Sequence, residues 1–295
     1  MINLMKIKRM KFSGFLFFSF CIVVLMFLFS QGCDTGRVRK IKSPPHYNFS
    51  EVFIHKLDIK LKEISGLAWD NKRDEFVTNN DEAGKLFYLD KETKDIKAEY
   101  KFGEKGDYED VALINSIPYV LRSDGMITKI IKDSTGRVYG LEAGKIGLAG
   151  ANDFEAMYYD QDREALVIIC KKCAMDNKSL VSAFAFYPDS TGFDNTPLYT
   201  VDAKEVERLS PHKTSKFQPS AAAVHPVLKK LFILSSASNQ LVIADLNGQT
   251  ESVYELGKTL FPQPEGLTFK RNGDMYISNE GVTDKASVLR FVYRP

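Results

Sequence analysis

The chain has 295 residues, 44% of them hydrophobic, which is enough for one large domain with a well-buried core. Its formal net charge is +2, but Lys6, Lys8, Arg9 and Lys11 all lie within residues 1–32, where no acidic residue occurs. The remainder carries 36 basic against 38 acidic residues, a balance that argues against nucleic-acid binding and leaves small molecules, cations or proteins as partners.

Residues 1–11 form a basic n-region, and residues 12–29 are an apolar run interrupted only by Ser13, Gly14 and Ser19. This is an export signal. Ser30-Gln31-Gly32-Cys33 follows, with a small residue directly before the cysteine. It resembles the lipobox at which a bacterial signal peptidase cuts and Cys33 takes acyl chains, although Ser30 stands where leucine is usual. The alternative is an uncleaved signal anchor, because a run of this length just spans a bilayer. Either way the expectation is a membrane-anchored protein of the bacterial cell envelope, with its globular part outside the cytoplasm. Residues 1–32 are then signal peptide or anchor, 33–49 a tether rich in Lys, Arg, Pro and Ser, and 50–295 the folded domain.

Residues 51–57 read as an isolated strand, and after it the chain becomes repetitive. Five segments open alike: Ile64-Ser65-Gly66-Leu67-Ala68-Trp69, Tyr108-Glu109-Asp110-Val111-Ala112-Leu113, Phe154-Glu155-Ala156-Met157-Tyr158-Tyr159, Pro219-Ser220-Ala221-Ala222-Ala223-Val224 and Pro264-Glu265-Gly266-Leu267-Thr268-Phe269. Counted from the second residue of each, the spacings are 44, 46, 65 and 45, the length of a four-stranded propeller blade with an insertion in the third repeat. Each opening leads through a turn to a second strand and then to a third rich in β-branched and aromatic residues. The fifth repeat stops at Pro295 after three strands, and residues 51–57 can supply the fourth, which protects the edge that an open ring would expose. The expected fold is all-β, a single propeller of five four-stranded blades closed by the N-terminal strand. Six blades follow if the insertion, through residues 198–211, hides a degenerate one. The best helical segment, residues 203–209, lies inside that insertion.

Cys170 and Cys173 end an apolar strand and are the only cysteines of the domain. Two thiols cannot form a four-thiolate zinc site, and a redox C-x-x-C expects a helix start, so they read as a local disulfide or two free thiols. The four histidines, His46, His55, His212 and His225, have no matching nucleophile elbow or paired-histidine motif.

The openings of the repeats resemble the SdiA-regulated propeller family, whose members carry an N-terminal membrane segment and one propeller. The resemblance runs from about Glu51 to Tyr293 and is carried by Tyr108-Glu109-Asp110-Val111, Asn152-Asp153-Phe154-Glu155-Ala156-Met157, and Gln263-Pro264-Glu265-Gly266-Leu267 with Tyr276-Ile277-Ser278-Asn279-Glu280. Ala156 stands where the family's usual wording has glycine. The family name records a regulatory connection and implies no chemistry.

In a propeller the first strand of each blade lines the central channel, so the aligned positions Ser65, Glu109, Glu155, Ser220 and Glu265 form a ring. Three carboxylates facing one channel repel unless something neutralises them. One neutraliser is a calcium ion bound by Glu109, Glu155 and Glu265, with Asn79, Asn80, Asp81 and Asn279 at the ends of second strands nearby. Another is pairing with Arg122 or Lys171. A third account has the glutamates capping strand entries, with no ligand involved. Asp81-Glu82-Ala83-Gly84 and Arg122-Ser123-Asp124-Gly125 read as turns. The functional expectation is an envelope-anchored module that binds a small molecule or an envelope protein, with calcium in its channel. The alternative is a calcium-dependent hydrolase of esters, lactones or phosphate esters.

Overall fold

The hydrophobic residues of the strands alternate between the two faces of each sheet, and both faces are buried. In a computed structural model that describes residues 42–295 except 178, 190–191 and 213–215, this alternation builds five interfaces, one between each pair of neighbouring blades. The apolar run of residues 12–29 and Cys33 lie outside the described residues. Among the described residues no helix is long and apolar enough to cross a membrane.

In chain order, β1 (Val52–Lys56) precedes blade 1, which comprises β2 (Ile64–Asp70), β3 (Glu75–Asn80), β4 (Lys85–Leu89) and β5 (Ile96–Lys101). Blade 2 is β6 (Tyr108–Ile114), β7 (Ile117–Arg122), β8 (Met126–Lys132) and β9 (Val138–Lys145). Blade 3 contains β10 (Asn152–Asp160), β11 (Ala165–Cys173) and β12 (Leu180–Tyr187), and its outer strand is split into β13 (Gly192–Phe193) and β14 (Tyr199–Asp202), both paired with β12. Blade 4 is β15 (Ala221–Val224), β16 (Leu231–Ser235), β17 (Gln240–Ala244) and β18 (Thr250–Glu255). Blade 5 has β19 (Pro264–Phe269), β20 (Met275–Asn279) and β21 (Ser287–Phe291), with β1 antiparallel to β21 as its outer strand. The insertion is therefore no sixth blade. It splits one outer strand and adds the short helix α1 (Ala203–Leu209), capped by Asp202 and buried on the blade 3–4 interface through Val206.

The period-two alternation is visible residue by residue. On β3, Phe76 packs with Tyr276 and Val288 of blade 5, whereas its neighbour Val77 packs with Val111 and Val120 of blade 2. On β10, Met157 joins Leu121 of blade 2, and Ala156 and Tyr158 join Ile233 and Val242 of blade 4.

Residues 43–49 are not the free tether that their composition suggests. Tyr47 and Phe49 are buried in the core between blades 4 and 5, among Phe232, Phe261 and Phe291. Two aromatic rings outweigh the polar residues around them, which is the reason packed structure begins before residue 50. His225 explains how this segment is held. At the first hairpins of blades 1 and 3, Asp70 and Asp160 accept the N–H groups two and three residues on. In blade 4 His225 takes that role, its Nδ1 accepting from Val227 and Leu228 at 3.1 and 3.0 Å. Its Nε2–H then donates to the Tyr47 hydroxyl at 2.7 Å, and that hydroxyl donates to Gly273 O at 2.6 Å. Burial holds the imidazole pKa down to about 4, in keeping with this neutral tautomer.

Deleting residues 51–57 from the full chain bares the whole edge of β21 and leaves blade 5 with three strands. The expected outcome is a thermal transition at least about 10 °C lower, followed by circular dichroism. A cooperative melt within a few degrees of the intact chain would refute the closure.

Candidate functional site

The inner strands are interrupted where the repeats align. Tyr108 pairs with Arg122 and Asp110 with Leu121, so Glu109 has no partner; Glu155 is skipped in the same way between Phe154 and Ala156, and Glu265 between Pro264 and Gly266. Ser65 and Gly66 are skipped in blade 1. Each is a β-bulge, which re-aims a side chain that regular pleating would send into the next blade. Four of the five aligned positions are thus bulge residues, and the three glutamates among them turn to one mouth of the channel. The other end is a cavity of about 270 Å³ lined by later residues of the same strands, among them Leu67, Val111, Met157, Ala222 and Leu267.

At the acidic mouth, oxygens of Glu109, Asp153 and Glu155 all lie within 4.8 Å of one another. Lys171 places its ammonium 2.7 Å from Glu155 Oε2 and 4.0 Å from Asp153 Oδ2. Glu265 completes the ring and accepts a hydrogen bond from Ser236. Glu280, which accepts from Gln263, links the ring to Asp81 and Glu63 of blade 1. The carboxyls share one electrostatic problem. Burial first, then Glu155 and Asp107, push Glu109 up to about 9 against the pull of Lys171. Burial, Glu155 and Glu280 push Glu265 up to about 8, and burial with Asp81 and Glu63 pushes Glu280 up to about 7. Glu155 and Asp153 are also raised, burial outweighing the neighbouring ammonium. Hard oxygen donors at this spacing fit a calcium-sized cation, which takes its ligands from carboxylates, carbonyls and water.

The other residues expected at the site go elsewhere. Arg122 forms two hydrogen bonds of 2.8 Å to Asp124, which Lys145 also contacts, so its charge is spent within its own turn. Asn79 and Asn279 are fully buried, and their amides donate to backbone carbonyls, that of Asn79 to Tyr108 O at 2.9 Å. Asn80 accepts from Ala83 N at 3.3 Å inside the Asp81-to-Gly84 turn, where Gly84 adopts φ +58°.

Strand-entry capping exists, but one residue further along. Asp110 is buried, and its two oxygens accept from Val111 N at 2.7 Å and from Met157 N at 2.8 Å, joining the inner strands of blades 2 and 3. A Cβ at Gly66 would lie 2.4 Å from Val111 N and 2.7 Å from Asp110 Cα, so the neighbouring blade must present glycine there. The aligned position reads Gly66, Asp110, Ala156, Ala221 and Gly266, and a single acid among small residues was the signal for it. Asp153 and Glu280 were also legible, the first two residues from Glu155 and the second adjoining Asn279.

The raised carboxyls set a pH dependence. Their folded pKa values exceed the unfolded value of about 4.5, so the folded state holds extra protons and stability falls as pH rises toward about 9. His225, whose folded value is depressed, contributes slope only below about pH 6.5 and so does not mask the effect above it. In chelator, the melting temperature of the full chain is expected to fall by about 5 °C or more between about pH 6.5 and about pH 9. The variant with Glu109, Glu155 and Glu265 all changed to Gln should lose most of that slope, and an unchanged slope would show that these groups titrate normally.

Among solved structures the chain is similar to glutaminyl cyclase of Myxococcus xanthus, with a TM-score of 0.55 at 12% identity over 82% of this chain and 96% of that one. A gluconolactonase from Xanthomonas campestris gives 0.46 at 11% identity over 87% and 99%. At 12% identity the first of these shows a likeness of fold alone. No curated protein matches the sequence. Residues 46–282 match the family described as SdiA-regulated, a span that takes in every strand from β1 to β20, and the chain belongs to the SdiA-regulated family.

Proposed function

We propose that this protein is a binding module of the bacterial cell envelope whose acidic channel mouth holds a divalent cation, calcium by the hardness of its oxygen donors, beneath the surface that receives a small-molecule or protein ligand. The observation that carries the reading is the convergence of Glu109, Asp153 and Glu155 within 4.8 Å, drawn from two blades by bulges. Carboxyls this close and this poorly solvated are costly to keep together without a counter-charge, and a cluster of perturbed acids in a concave mouth is a candidate functional site. The basic n-region, the apolar run and the Gly32-Cys33 junction support display from the membrane through a lipid on Cys33. The second reading is a calcium-dependent hydrolase, in which the cation polarises the substrate and a glutamate of the same converging set acts as base.

A cation that binds only the folded state stabilises it, by about 2.7 kcal/mol at a free concentration about 100 times its dissociation constant. Calcium is therefore expected to raise the melting temperature of the full chain by about 5 °C or more over chelator, and the triple Glu→Gln variant should not respond. Melting that is identical in millimolar calcium and in chelator would remove the cation from the account. Separately, labelled palmitate should enter the wild type in cells and not Cys33→Ala. Equal labelling of both would exclude Cys33 as the lipid attachment site.

A further inference from the structure

The same mouth contains a charge whose placement goes beyond cation binding as such, although its role rests on the cation-binding reading of the site. On β11, Cys170 pairs with Phe154 and Lys172 with Asp153, so Lys171 between them is itself a bulge residue, facing the bulged Glu155 across the sheet. The Cys170–Cys173 disulfide brackets it, with both sulfurs buried in the core between blades 2 and 3. The backbone of Lys171 is thus fixed at both ends, while its side chain remains about a third exposed. Its ammonium touches Glu155 and approaches Asp153, two of the three carboxylates that converge.

We propose that Lys171 is a tethered counter-ion occupying the position an external divalent cation would take, so that the cation binds by displacing it and the residue sets the affinity of the site. The chemistry of the side chain suits this. An ammonium on a four-carbon stem is a strongly hydrated point charge without the planar fork by which arginine locks onto a carboxylate. It can leave by rotating toward solvent, whereas a second cation held beside it would meet repulsion between like charges a few ångströms apart. The other basic side chain expected at this mouth, Arg122, is held by Asp124 and does not compete. The disulfide matters because it returns the ammonium to the same carboxylates each time the cation departs.

The test is calcium binding by calorimetry to the full chain and to Lys171→Met and Lys171→Gln, together with reductive methylation of Lys171 in the wild type with and without saturating calcium. Removal of the ammonium should tighten calcium binding by about tenfold or more, and calcium should increase modification of Lys171 in the wild type several-fold. Equal or weaker binding by both variants, or protection of Lys171 by calcium, would overturn the proposal while leaving the cation site standing. Absence of calcium binding in the wild type and in both variants would instead overturn the cation-binding reading and this inference with it. Should the substituted chains fail to fold, the methylation of the wild type alone decides.

Discussion

A propeller has no stabilising element until the ring is shut, because each blade buries both of its faces against neighbours and none can satisfy itself alone. Here the constraint is met by β1, which pairs along five residues with β21, so that the first strand among the described residues is the outer strand of the last blade. The closure is reinforced by residues before the strand. Tyr47 and Phe49 enter the core between blades 4 and 5, and the Tyr47 hydroxyl, His225 and Gly273 form one hydrogen-bonded chain that ties the entering segment to both blades. A histidine where blades 1 and 3 use aspartate is what makes this possible, since its second ring nitrogen can donate outward while the first caps the turn.

The closed ring then brings together side chains that no local argument could pair. Bulges at three aligned strand entries turn Glu109, Glu155 and Glu265 out of the blades and into the channel mouth. The cost is a set of carboxyls that resist ionisation, and the ring tolerates it because the strands they sit on are held by large apolar interfaces. Lys171 relieves part of that cost, and only on one side of the mouth, where Asp153 and Glu155 lie. Asp110 has the contrasting fate. One residue beyond Glu109, it is directed into the wall rather than the channel, and it spends both oxygens on backbone donors of two blades.

That pair of neighbours explains why an acid in a repeat cannot be assigned a role from its type. Position along the bulge decides whether the carboxylate meets water and other charges or two N–H groups in a dry interface. Gly66 belongs to the same arrangement, as the missing side chain that lets the backbone at Asp110 and Val111 approach.

Much of the architecture was determined by the residues alone. The spacing of the five openings, the alternation of apolar residues and the three-strand final repeat together imply five blades and a closing N-terminal strand, because each is a local or periodic property of the chain. The aligned glutamates were legible for the same reason, and so was Lys171 as a neutraliser at a second-strand end. Tertiary structure alone decided which charges meet. Arg122 was an equal candidate by sequence, yet Asp124 two residues away captures it, and the amides of Asn79 and Asn279 donate to backbone carbonyls. The burial of Tyr47 and Phe49 was likewise hidden, since nothing in a short polar segment announces the pocket that two distant blades open for it. Periodicity reports which face of a strand is buried, but the partner across a channel or a blade interface is set by bulges and by packing between segments far apart in sequence, and these have no local signature.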